Sequence, residues 1–127
     1  MAAGDVKGDE AVILAVTAGI AIVKGDLVHL ESDGYWDPTT TDDIGKFGVA
    51  IEAASGAAET VRVVIWGPVE VDCSGNVSKG ALGQPGLTGQ VATQSFTNDS
   101  SGNTIAGTFM ESGTDLGTAT FWVGLVA

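Results

Sequence analysis

The 127-residue chain sets 16 acidic side chains against 5 basic ones, for a formal net charge of -11. That length suits one domain, and so few cations argue against nucleic acid and anionic membranes as partners, since both are bound through Lys and Arg. A hydrophobic share of 44% is enough to build a core, while 19 glycines, about twice the usual share, disfavour long helices.

Residues 1–9 are small, polar and punctuated by glycine, and read as a flexible arm. Residues 11–16 and 20–23 are short apolar runs split around Gly19, and their β-branched content predicts two strands rather than one helix. Together they are too short to cross a membrane and follow acidic residues, unlike a secretory signal, so a soluble protein made in the cytoplasm is expected. Lys24-Gly25-Asp26 turns into a strand at residues 27–30. Ser32-Asp33-Gly34 makes a hairpin from which Tyr35-Trp36 returns. A polar loop over residues 37–43 leads to a strand at 47–53. Residues 59–66 are the strongest strand signal and are expected to stop at Gly67-Pro68. Residues 69–72 then alternate apolar and acidic, as a half-buried strand does.

The second half repeats the first in outline. Lys24-Gly25-Asp26-Leu27 is echoed by Lys79-Gly80-Ala81-Leu82, and Gly34-Tyr35-Trp36 by Gly89-Gln90-Val91, both at an offset of 55. Gly48-Val49-Ala50 has a looser echo in Thr104-Ile105-Ala106. Ser55-Gly56 is echoed by Ser112-Gly113, and Val64-Ile65-Trp66-Gly67 by Phe121-Trp122-Val123-Gly124 at an offset of 57, with a longer loop around residues 98–103 absorbing the drift. One β-unit is used twice, over about residues 20–67 and 75–124, and neither half is large enough to stand alone. Gly80, Gly83, Gly86 and Gly89 recur at every third position, but the run is far too short for a triple helix and reads as an extended irregular loop.

No catalytic set emerges. The only imidazole, His29, lies between apolar neighbours on a strand and reads as a rim residue; the single cysteine, Cys73, reads as a small buried hydrophobe and forbids an internal disulfide. The carboxylates fall mostly in turns, where they look like solubilising charge. Asp33, Asp37, Asp42 and Asp43, and separately Asn98, Asp99 and Asn103, could offer hard oxygen ligands, but they lack calcium-loop spacing and are ordinary turn formers. The sequons at Asn76 and Asn98 are read as chance matches. The expectation is a protein that is not an enzyme and uses neither cofactor nor metal. Trp36, Trp66 and Trp122 stand out. They could stack on sugar rings, or pack at a core edge or subunit interface; Trp66 and Trp122 close matching strands, which favours packing.

The order of elements resembles the capsid cement, or head-decoration, proteins of tailed bacterial viruses. The resemblance rests on the Gly25-Asp26 turn ahead of a strand, the Gly48-Val49-Ala50 step, the small-residue turn Ala54-Ser55-Gly56, and the Val-rich strand ending near Gly67; it is clearest over residues 23–67. It implies an all-β fold, a small β-barrel or β-clip with an N-terminal arm, with no free edge strand. It also implies a virion protein on the outer capsid surface that binds the major capsid protein as a homotrimer and clamps neighbouring capsomers. Contacts with the shell or between subunits are then expected from the arm, at Met1, Ala2, Ala3, Gly4, Asp5, Val6 and Lys7, and from Trp36, Trp66 or Trp122. A carbohydrate-binding module and a tail or fibre subunit are the alternatives.

Overall fold

A computed structural model describes residues 2–6, 11–40, 46–94 and 105–124 of the chain. The fold is all-β. The described residues form nine strands: β1 (Val12–Thr17), β2 (Leu27–Leu30), β3 (Trp36–Pro38), β4 (Phe47–Ala50), β5 (Thr60–Asp72), β6 (Leu82–Pro85), β7 (Val91–Thr93), β8 (Gly107–Phe109) and β9 (Thr118–Val123). They make one antiparallel sheet in the order β3-β2-β4-β5-β9-β8-β6-β7, with β1 added on β5, curled into a half-barrel.

The sheet is one topology laid down twice. β2 pairs with β3 and β4, β4 pairs with β5, and β5 pairs with β1; in the same way β6 pairs with β7 and β8, β8 pairs with β9, and β9 pairs with the second half of β5. The small contacts repeat as well. The Ala18–Trp36 and Ile22–Ala54 bridges return as Cys73–Val91 and Val77–Gly113. Ala58 and Leu116, the two non-glycine residues with positive φ among those described (69° and 65°), occupy the same turn in each unit. Their N–H groups donate to the carbonyls of Ala18 and Cys73 respectively.

Pairing corrects the register of the repeat. The offset of 55 holds from β1 through β3, but Gly48 corresponds to Gly107 rather than to Thr104, because both lie opposite the second residue of β2 or β6, Val28 and Gly83. Likewise Ala54, not Ser55, corresponds to Gly113, and Val64 corresponds to Trp122. The expected longer loop at residues 98–103 lies outside the described residues.

Three further expectations change. Gly67-Pro68 does not end a strand: β5 runs on through it to Asp72 and changes partner there, from β1 to β9. Pro68 is tolerated because its ring nitrogen faces away from β9, where no ladder bond is required, and Gly67 (φ 121°) lets the chain pass close by, since a Cβ would meet the Cα of Ala11 at 2.8 Å. Residues 20–23 form no strand and contribute only the Ile22 bridge. The glycine-rich stretch after Gly80 is not an irregular loop, because β6 occupies its centre. A Cβ at Gly83 would strike the Phe121 ring.

That contact exposes the packing rule. Both units share a backbone plan but fill it with opposite volumes. Trp36, Val28, Val63 and Ala50 in the first unit become Val91, Gly83, Phe121 and Phe109 in the second, and all but Gly83 are counted in the two buried apolar clusters. One tryptophan against small neighbours is exchanged for two phenylalanines, 4.9 Å apart between ring centres, against a glycine. Interiors accept such swaps when total volume is kept.

Residues 2–6 join the units. Gly4 N–H donates to the Glu70 carbonyl at 2.7 Å, Glu70 N–H donates to the Asp5 carbonyl at 2.9 Å, and Val6 bridges Val69. On its other side the segment lies on the Lys24-Gly25 turn, where Lys24 Nζ meets Asp5 Oδ1 at 3.0 Å. A second seam runs through Gly89, whose carbonyl accepts from Leu27 N–H and whose N–H donates to the Thr39 carbonyl. Asp26 lies beside it. Burial, with the nearby Asp72 charge, holds the Asp26 carboxyl above its ordinary range, against the pull of the Val23 N–H it accepts.

The exchanged core volumes and the second seam each make a prediction. Gly83→Val should cost about 1–3 kcal/mol by overpacking. The double change Gly83→Val with Phe121→Val, which copies the first unit's Val28 and Val63, should recover about 1 kcal/mol or more relative to the sum of the single changes in urea unfolding. Because the folded state holds the Asp26 proton more tightly than the unfolded chain, this group's stabilisation is full at low pH and is lost as pH rises from the ordinary carboxylate range through its raised value. Asp26→Asn keeps an acceptor for Val23 N–H, so it should be the more stable protein at neutral pH relative to wild type, with the gap closing in acid; unfolding curves across a pH series measure it.

Candidate interaction surface

The three tryptophans part company. Trp36 is only 5% exposed and sits inside the first unit's core, delivered there by the return strand of the Asp33-Gly34 hairpin. Trp66, 39% exposed, stands on β5 just before the partner change. Trp122, half-buried on β9, meets it edge to face, with ring centres 4.8 Å apart and planes at 88°. Two rings at right angles offer no shared flat platform for a sugar face, so the geometry favours the packing reading. Gly124 makes the approach possible, because a Cβ there would meet Trp66 Cδ1 at 2.8 Å.

Beside this pair lies a cavity of about 290 Å³ lined by Lys46, Phe47, Ile65, Trp66, Ile105, Ala106 and Gly124. Lys46 and Phe47 occupy the positions in the first unit that Ile105 and Ala106 occupy in the second, so the cavity opens where like parts of the two units face each other. Most of its lining side chains are apolar, with Lys46 the charged one among them. A surface of this kind suits an apolar side chain of a partner.

An apolar strip adjoins Trp66. Val12, opposite it in the ladder, is 48% exposed, and Ile13 and Leu14 are each 44% exposed. The expectation of a sheet without a free edge is not met here: among the described residues β1 has a neighbour on one side only. The sequence marks this uncharged run, VILAVT, as an apolar strand but carries no local sign that it is exposed. The signal that could have found it was the repeat: at an offset of 55 the same run aligns with residues 67–72, which carry Pro68, Glu70 and Asp72.

The arm residues Ala2, Ala3, Gly4, Asp5 and Val6 lie on the seam already described, whereas Met1 and Lys7 lie outside the described residues. Asp5 is held below the usual carboxylate range, first by Lys24 and then by Ala2 N–H. Cys73 is fully buried, and burial with nearby carboxylates raises its thiol. His29 is mostly enclosed and stands 3.7 Å from Glu31. Asp33 and Asp37 are described; Asp42, Asp43, Asn98, Asp99 and Asn103 are not. Asp37 raises the Glu31 carboxyl, and no three His, Cys, Asp or Glu side chains among the described residues stand together as a metal site.

No protein-family model and no curated protein sequence matches the chain. Among solved structures, the chain is similar to the N base of the head fibre protein gp8.5 of bacteriophage phi29. The two share one fold. The TM-score is 0.66, identity is 14%, and the match covers 89% of this chain and 95% of the phi29 base. At that identity the likeness is one of architecture, carried by topology rather than by side chains.

Tryptophan placement gives a direct contrast. Trp36→Ala should cost about 3–5 kcal/mol, as for a buried ring. Trp66→Ala should cost only about 1 kcal/mol, the order of a lost edge-to-face contact. Chemical unfolding of the two variants checks both.

Proposed function

We propose that the protein is a structural component of a tailed bacterial virus, seated on the outer surface of the head and holding neighbouring shell subunits together. The observation that carries this reading is the fold shared with the base of a phage head fibre over nearly the whole of both chains. The sequence resemblance to head-decoration proteins points the same way. The surface agrees: an apolar corner at Trp66 and a shallow cavity suit protein contact, while the charge of -11 suits a protein made in many copies.

On this reading three copies gather around a local threefold of the shell, with Trp66 at or near a contact. Three such copies repel one another, so basic groups on the shell would favour the cluster. The phi29 match favours a second reading, in which the domain is the base of a projecting fibre rather than a clamp.

The test is electron microscopy of heads with and without this protein, with a heating series that follows DNA release. The clamp reading expects threefold density on the outer surface, and release at a lower temperature from bare heads. Trp66→Ala should reduce occupancy about tenfold or more, the equivalent of about 1.4 kcal/mol. Unchanged heat resistance with a long projection would favour the fibre base, and heads carrying no such density would overturn both.

A further inference from the structure

Backbone register fixes which groups of β1 face outward. Arg62, opposite Ala15, donates its N–H to Glu52 Oε1 and accepts from Ile51 N–H, both on the β4 side. Ala15 and Arg62 are therefore a pair without mutual hydrogen bonds, so the N–H and C=O of Ala15, and by alternation those of Ile13, point away from β5. The second unit repeats this arrangement. Thr120, opposite Glu70, is occupied in the same way by Glu111 and by Met110 N–H, and the outward groups of Glu70 are taken by Gly4 and Asp5. Ile13 corresponds to Pro68, which has no N–H to offer. One edge is thus closed by the chain itself, and its counterpart on β1 is open among the described residues.

We propose that this open edge pairs with itself: β1 of one copy joins β1 of a second copy, antiparallel, across a twofold axis at Leu14. This centring sets Leu14 against Leu14 of the second copy and Ile13 against Ala15 of the second copy, so the outward N–H and C=O groups of both strands are satisfied. It also covers Val12, Ile13 and Leu14, whose exposure on an unpaired edge is otherwise a liability. The charge decides in favour of a second copy as the occupant. All six residues of β1 are uncharged in a chain of -11, so this is a place where two copies meet without like charges facing each other. The proposal does not rest on the shell reading.

Sedimentation equilibrium of the full chain over concentration and salt series tests it. The expected result is a monomer–dimer equilibrium that tightens as salt screens the remaining charge. Ile13→Pro should weaken it about tenfold or more while leaving the thermal midpoint near wild type, because the second unit already carries proline at that position. Leu14→Cys should form a disulfide-linked dimer on mild oxidation, whereas Val23→Cys, at a site 67% exposed, should not; buried Cys73 makes the wild-type chain the blank. If Ile13→Pro fails to fold, the cysteine pair decides alone. A wild-type chain that stays monomeric throughout, an association that Ile13→Pro leaves unchanged (a trimer included), or equal cross-linking at both cysteines would overturn the proposal. Pairing of β1 with a strand of another protein in place of a second copy would show as the first of these.

Discussion

The rest of the structure depends on β5 being continuous. Its 13 residues serve as the last strand of one unit and the first strand of the next, so two halves each too small to stand alone are fused through one backbone. The cost of that economy falls at Gly67-Pro68. There the strand exchanges β1 for β9, the chain crosses within van der Waals reach, and the ladder must survive a residue without an N–H. Glycine meets the steric demand, and proline sits in the register that needs no donor.

Sharing a backbone plan does not mean sharing a core. Each unit must fill the same space, but the filling is set by local partners: Trp36 among small residues on one side, Phe109 and Phe121 around Gly83 on the other. Similarity between the halves therefore survives in turns, where glycine and the positive-φ sites are dictated by backbone geometry, and fades in strands, where compensating volumes are interchangeable. This also explains how the chain can share a fold with the phi29 head-fibre base at 14% identity.

The edges of the sheet connect fold to function. Residues 2–6 close one edge and at the same time tie the first unit's Lys24-Gly25 turn to the second unit's strand, so a segment that reads as an arm contributes to the seam. Among the described residues the corresponding edge on β1 is unpaired, and its Val12, Ile13 and Leu14 side chains are exposed. In a chain of net charge -11, contact with protein along an uncharged strand carries little electrostatic cost.

The sequence by itself determined the all-β class, the hairpin at Asp33-Gly34, the buried state of Cys73 and the twofold use of one unit, because glycine placement, alternation and apolar runs are local properties of the chain. It also yielded the offset of 55 over the first strands of each unit. Only the tertiary structure decided the rest. Which of the tryptophans is buried, where the repeat register slips, why β5 continues through Gly67-Pro68 and why the Gly83 stretch is a strand all depend on partners distant in sequence. The same holds for β1: a run of uncharged residues looks the same whether its outer edge is covered or open, and only the pairing of every neighbouring strand shows which.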